Sequence, residues 1–305
     1  IADHFPARQP FRAPRDLRVA PAPVRAGGPI LFGLLFVTGP GTRADEVEYS
    51  ARNFLAFTDP CWGLAVVTAP RTRALAAAVL RRLGILPALE APASPHPRSA
   101  EARPGPDPGS HPGALVVELD REVNYLEFND LLKTAEFWAL LPAEWVLMFQ
   151  TDTLLLKPSS LEAGGEFGLN SLVRAGWDYV GAPWKGQEGG PAVGNGGLSL
   201  RRVRAMVEVC REWPDPSGLN EDLYFSHILL YSRYWVAPVE VARRFAVEHM
   251  PSDDPAGCHQ LDQAVVDSGP WGDFEGLVEK MIQRLGEAAS RAQELTPLPM
   301  AQCPS

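Results

Sequence analysis

Short apolar runs alternate with helically spaced segments along the first half of this chain, and that alternation constrains the fold more than any other feature. Ile30 to Val37, Leu64 to Val67, Leu115 to Glu118 and Trp145 to Phe149 each have the length of a buried strand. Between them, Val47, Ala51, Phe54 and Leu55 recur at helical spacing, and Ala74 to Leu86 reads as a helix with arginines on its polar face. Phe128, Leu131, Leu132, Ala135 and Trp138 share one further helical face. Strands joined through helices run parallel, and uniformly apolar strands are covered on both sides. The expected fold is therefore α/β, a mostly parallel sheet flanked by helices. Later in the chain, Leu198 to Leu200 reads as a strand, and Val203, Met206, Val207 and Cys210 line a helix. Asn220 is placed to cap a helix through Leu230. Phe245 to Val247 reads as a strand, and Phe274, Leu277, Val278, Met281 and Leu285 mark a C-terminal amphipathic helix.

Three segments fall outside this pattern. Residues 1–29 are rich in Pro, Arg and Ala without periodicity, which predicts a loose arm. Residues 87–113 are dominated by Pro, Gly, Ser and Ala, which predicts a disordered insertion inside one domain spanning 30–265. The C-terminal helix and tail occupy 266–305. Lengthening a loop costs only about 0.6 kcal/mol per doubling. Replacing 87–113 with a short Gly-Ser linker is therefore expected to leave the melting temperature nearly unchanged. A loss above about 2 kcal/mol would mean that the segment packs against the domain.

The 305 residues carry a formal net charge of −9, which argues against DNA or RNA as a partner. It does not argue against a nucleotide, since one metal ion and a few donors hold a diphosphate in an acidic protein. The four cysteines form no C-x-x-C pair, so a zinc site is not expected. They read as buried thiols, with a Cys61–Cys210 disulfide left open. No apolar run is long enough for a transmembrane helix. The chain opens on Ile rather than Met, as a fragment or processed form would, so cytosol and secretory lumen both stay open as compartments.

Several residues stand where chemistry is usually done. The strand Trp145 to Phe149 runs into Gln150-Thr151-Asp152, and a carboxylate at the C-terminal edge of an open α/β sheet sits where such sheets bind ligands. Gly194-Asn195-Gly196-Gly197 precedes a strand and lets backbone approach a ligand closely. Glu221-Asp222 begins a helix, and Gly257-Cys258-His259 follows a polar loop. Gly39-Pro40-Gly41-Thr42-Arg43-Ala44 fits a dinucleotide fingerprint and gives an NAD-dependent oxidoreductase as one alternative. Against it, the next strand ends Val67-Thr68-Ala69-Pro70, without the carboxylate that should hold the ribose.

Taken with Asn129-Asp130-Leu131-Leu132-Lys133, Glu136-Phe137-Trp138, Trp177 to Trp184, Val193 to Arg201 and Phe245 to Glu248, these motifs resemble the GT-A-like glycosyltransferase family catalogued as DUF5672. The resemblance runs from about Ile30 to His259 and is strongest after Tyr125. It implies a GT-A-like domain with a nucleotide-binding half over 30–156 and an acceptor half to about 265. It also implies transfer of a sugar from a nucleotide-diphosphate sugar to a hydroxyl of a carbohydrate or other acceptor. Mn²⁺ or Mg²⁺ would be held by Asp152 and His259. Asp222 would act as general base, with Glu221 orienting the acceptor. Gln150, Thr151, Asn195, Gly196, Gly197, Trp184 and Glu248 would face donor or acceptor, Glu248 having Arg201 as its other candidate partner. GT-A enzymes usually present D-x-D, and here Gln150 stands at the first position. That departure supports a second alternative, a non-catalytic carbohydrate-binding or scaffold protein. Donor, acceptor and inversion versus retention stay open.

Overall fold

A computed structural model describes residues 30–259 apart from 40, 60, 86–113, 160–167, 185–191, 215–217, 231, 251 and 253. The arm, the 87–113 insertion and the C-terminal helix and tail lie outside the described residues. The chain runs β1 (Leu31–Val37), α1 (Ala44–Phe57), β2 (Trp62–Thr68), α2 (Arg73–Arg82), β3 (Ala114–Glu118), α3 (Tyr125–Leu132), α4 (Ala135–Ala139) and β4 (Trp145–Phe149). It continues through β5 (Thr153–Leu155), α5 (Leu169–Ala175), β6 (Tyr179–Gly181), β7 (Leu198–Arg202) and α6 (Val203–Glu212). It ends with α7 (Glu221–Leu230), α8 (Val239–Phe245), β8 (Ala246–Val247) and β9 (Gly257–His259).

Six strands form one sheet in the order β3-β2-β1-β4-β7-β6. The first four are mutually parallel, and β7 runs antiparallel to both β4 and β6. This is the mostly parallel α/β sheet expected from the strand–helix alternation. Successive strand side chains point to opposite faces, and both faces are covered. On one, Leu31 and Leu35 of β1 join Val47, Ala51 and Phe54 of α1. Phe54 stacks on Phe149 with ring centroids 5.2 Å apart and meets Trp62 edge-on at 6.3 Å. On the other, Phe32 and Leu34 join Leu131, Trp138, Met206 and Phe225. Each such side chain contributes about 1.5–3 kcal/mol of burial. A second sheet, β5-β9-β8, is small; β9 pairs antiparallel to β5 and parallel to β8.

Two expectations are corrected, and one open alternative is closed. The single helical face from Phe128 to Trp138 belongs to two helices, because side chains satisfy the last carbonyls of α3. Trp138 Nε1 donates to the Leu132 carbonyl at 2.6 Å and Thr134 Oγ1 to that of Leu131 at 2.7 Å. Apolar spacing continues through the break and hides it. Phe245 closes α8 instead of opening a strand. Cys61 packs on one face of the sheet and Cys210 is buried on the other, so no disulfide joins them. Among the described residues, no helix is long and apolar enough to cross a membrane.

Candidate functional site

Strand β4 ends at Phe149, and the chain turns through Gln150, Thr151 and Asp152 into β5. The turn is pinned from two sides. Gln150 N–H and Thr153 Oγ1 both donate to the Gly197 carbonyl, at 3.1 and 3.2 Å. From α1, Ser50 Oγ donates to the Thr151 carbonyl at 3.2 Å. Asn53 brackets Leu155, its amide donating to the Leu155 carbonyl at 3.0 Å and its oxygen accepting from the Leu155 N–H at 2.7 Å. Asp152 is thereby presented, partly exposed, at the C-terminal edge of the parallel strands.

The small sheet brings the other half of the site. Thr153 on β5 lies opposite His259 on β9. Val247 on β8 lies opposite Cys258, so the next residues along these two parallel strands are Glu248 and His259. His259 is buried between two carboxylates. Its Nε2 lies 3.4 Å from Asp152 Oδ1 and 3.2 Å from Gln150 Oε1, and its Nδ1 lies 3.6 Å from Glu248 Oε1. Burial works against a charged imidazole, but Asp152 and Glu248 outweigh it and hold the His259 pKa up at about 9.

The glycine block lies directly over these side chains. A Cβ on Gly197 would come within 2.1 Å of the His259 ring. One on Gly196 would come within 2.1 Å of Glu221 Oε1 and 3.0 Å of Arg201 Nη2. Only glycine permits both approaches. Successive glycines thus separate the His259 cluster from a second one.

In that second cluster, Arg201 on β7 forks onto Glu221, Nη1 to Oε2 at 2.5 Å and Nη2 to Oε1 at 3.0 Å. Its Nε donates to Ser199 Oγ at 2.8 Å. The guanidinium lies over the rings of Tyr179, Phe225 and Trp138, 5.0, 5.5 and 5.6 Å from their centroids. Burial opposes the Arg201 charge, but the Glu221 carboxylate more than offsets it and keeps the group protonated. Asp222, the neighbouring residue, is only half-buried. Burial first, and the Glu221 charge second, push its carboxyl up to about 6. The Leu223 N–H, which donates at 2.7 Å, the Gly196 N–H and the Arg201 charge pull the other way.

The start of α7 is set by α3. Asn129 Oδ1 accepts from the Glu221 N–H at 2.8 Å, and Lys133 Nζ donates to the Leu219 carbonyl at 2.7 Å. The Asn220 carbonyl accepts the first helical bond, from Tyr224, as its place before the helix predicts. The Asn129 to Lys133 motif is thus explained as the seat of the helix that carries Asp222.

The structure gathers Gln150, Thr151, Asp152, Gly196, Gly197, Glu221, Asp222, Glu248 and His259 around one loop. Two of them have partners other than those expected. Glu221 gives both carboxylate oxygens to Arg201, and Glu248 faces His259, not Arg201. Asn195 Oδ1 is used locally, accepting from the Gly197 N–H at 3.0 Å. Trp184 packs on Gly194, 3.0 Å from where a Cβ would stand. Trp177 is remote: its carbonyl accepts from Trp145 Nε1 at the opposite end of β4, and its ring tilts against Trp235. Residue-by-residue reading missed the supporting roles of Ser50, Asn53, Asn129 and Lys133, whose signal is a polar residue on the buried face of a helix.

No curated protein matches the chain. Among solved structures, the chain is similar to the mannosyltransferase PcManGT from Pyrobaculum calidifontis in complex with GDP-Man and Mn²⁺. Identity is 14%, the TM-score is 0.42, and the match covers 74% of this chain and 59% of that one. It is similar to mouse xyloside xylosyltransferase 1 at 10% identity and a TM-score of 0.42, covering 75% of this chain and 97% of that one. It is also similar to the galactosyltransferase LgtC in complex with donor and acceptor sugar analogues, at 13% identity and a TM-score of 0.44, covering 88% and 98%. All three are glycosyltransferases. Residues 117–259, the stretch that runs from β3 through Asp152 to His259, match the model of the protein family of unknown function DUF5672.

Proposed function

We propose that the protein is a metal-dependent glycosyltransferase that moves a sugar from a nucleotide-diphosphate sugar to an acceptor hydroxyl. The observation that carries the reading is the meeting of Asp152 and His259 at 3.4 Å, beneath a glycine loop and one loop residue away from Asp222. A carboxylate oxygen, an imidazole nitrogen and the Gln150 amide oxygen form a mixed donor set that suits Mn²⁺ better than Mg²⁺. Among the described residues, no three His, Cys, Asp or Glu side chains are arranged to hold a cation. The residues therefore fit an ion that also takes oxygens from its substrate and water, as phosphate-bound divalent ions do. When bound, the ion supplies Lewis-acid neutralisation of the diphosphate leaving group.

The chain's own groups do the rest. Asp152 contributes the charge that retains the cation, and His259 a nitrogen whose proton the cation replaces. The Gly196-Gly197 backbone lets Glu221 and His259 pack against the loop at once, which holds the base and the cation ligands close together. Asp222, with its carboxyl near neutrality, takes the proton of the acceptor hydroxyl, which favours inversion. Glu221, fixed by Arg201, orients the first turn of α7 instead of touching the acceptor.

The test is a thermal-shift screen of nucleotide sugars with and without Mn²⁺ on wild type and Asp152→Asn. A ligand at 100 times its Kd adds about 2.7 kcal/mol, so a true donor raises the melting temperature of wild type only when Mn²⁺ is present. Asp152→Asn keeps the volume, loses the charge and is expected to lose that shift while melting normally without ligand. Equal shifts in both proteins would reduce Asp152 to a turn residue. Binding by wild type without sugar transfer or hydrolysis would favour the non-catalytic carbohydrate-binding alternative.

A further inference from the structure

Glu248 is one of the most enclosed carboxylates in the described structure, 5% exposed, which leaves little of it for a substrate to touch. It stands beside His259 by construction, because the β8–β9 register makes them neighbours. Two buried polar atoms here lack hydrogen-bond partners, Glu248 Oε2 and His259 Nδ1. Buried unsatisfied groups are rare enough to need a reason. The Glu248 carboxylate lies 3.6 Å from His259 Nδ1 and 3.5 Å from Nε2 of the half-exposed His249. On the opposite side of the His259 ring, Nε2 is turned to Asp152 and Gln150.

We infer that Glu248 is a positioning residue for the cation site: it accepts the Nδ1 proton of His259 and so leaves the Nε2 lone pair directed at the cation beside Asp152. The inference rests on the metal-dependent reading above. A neutral imidazole has one donor and one acceptor nitrogen, and an acceptor opposite Nδ1 draws the N–H to that side. A carboxylate behind a metal-binding histidine fixes its tautomer and ring orientation, and loss of such a partner typically weakens metal affinity 10- to 100-fold. A distance of 3.6 Å is long for a hydrogen bond. The proposed role therefore requires the Glu248 carboxylate to close on Nδ1 when Nε2 serves as the ligand, the two carboxylates facing opposite ring nitrogens. The small sheet then has a purpose: three short strands set Asp152, His259 and Glu248 in a row at one end.

The experiment uses the full chain and Mn²⁺ alone as probe, with the free aqueous ion counted by electron paramagnetic resonance. Wild type is expected to bind the ion and Asp152→Asn to lose it. If wild type binds none, or Asp152→Asn binds as well, the metal-dependent reading fails and the inference falls with it. Given that control, Glu248→Leu is expected to weaken Mn²⁺ binding 10- to 100-fold. Glu248→Gln keeps an acceptor oxygen toward Nδ1 and is expected to stay within a few-fold of wild type. Mn²⁺ affinity unchanged in Glu248→Leu, with only a lower melting temperature or a raised donor KM, would overturn the inference and leave the proposed function standing. Equal losses in Gln and Leu would also overturn it, since the effect would then belong to the charge and not to the acceptor. Should the leucine variant lose its melting transition, Glu248→Ala is read in the same way.

Discussion

Asp222→Asn is expected to lower turnover by about 10² to 10⁴ while donor affinity stays close to normal, because a general base acts on the acceptor's proton and not on the nucleotide. The geometry separates the two functions. Asp222 and Asp152 lie on opposite sides of the Gly196-Gly197 step, so a neutral amide at one leaves the other's surroundings intact. The pH profile supplies an independent check. Burial and the adjacent Glu221 push the Asp222 carboxyl up to about 6. The base works only when deprotonated, so kcat/KM is expected to rise with pH through about 6 and to level off above it. Asp222→Asn should remove that limb along with the rate. A helix N-terminus would otherwise account for an acidic residue here, at about 0.3–1 kcal/mol of stability. Unchanged turnover with a slightly lower melting temperature would assign Asp222 to that lesser role and remove the argument for inversion.

Periodicity alone does not separate Glu221 from Asp222; only the family resemblance gave them different roles. Adjacent residues of a helix point about 100° apart, and which of two carboxylates turns inward depends on what waits there. What waits is Arg201, whose charge is hidden in the sequence by a motif that reads as glycine turn and strand. The four parallel strands, by contrast, were legible, because their pattern depends only on local burial and length. Asp152 was legible for the same reason, as the carboxylate that ends a buried strand. His259 and Glu248 were visible only through family resemblance. Each lies on or beside a strand of two or three residues, and such a strand exists by virtue of its partners. No period can be read from so few positions, and the pairing of Glu248 with His259 follows from a register that propensity does not encode. The break between α3 and α4 was missed for a related reason: a Lys and a Thr that look like ordinary helix-surface residues instead bond carbonyls of a distant loop and of α3's own last turn.

Arg201→Met is expected to cost about 3–5 kcal/mol, read as a lower denaturation midpoint, because it strands a buried carboxylate without its counterion. Glu221 has a side chain only 7% exposed and places both oxygens on the guanidinium. The total stability of a domain is about 5–15 kcal/mol, so the single variant stands near the limit of folding. The double variant Arg201→Met with Glu221→Leu removes both charges from a pocket already walled by Tyr179, Trp138 and Phe225. It is expected to recover most of the loss, since apolar replacement of a buried ion pair is often neutral or stabilising. Asp222 then reports what the pair is for. Arg201 lowers the Asp222 pKa and Glu221 raises it, so Arg201→Met alone should move the acid limb of kcat/KM above about 6. The double variant should return it toward the wild-type position. A stable double variant with low turnover and a wild-type acid limb would show that the pair's contribution is the placement of α7 and not the tuning of its base. Full activity in the double variant would show that Asn129 and Lys133 hold that helix without help. A double variant as unstable as the single one would mean that Arg201 is held by its three aromatic neighbours and Ser199 more than by Glu221.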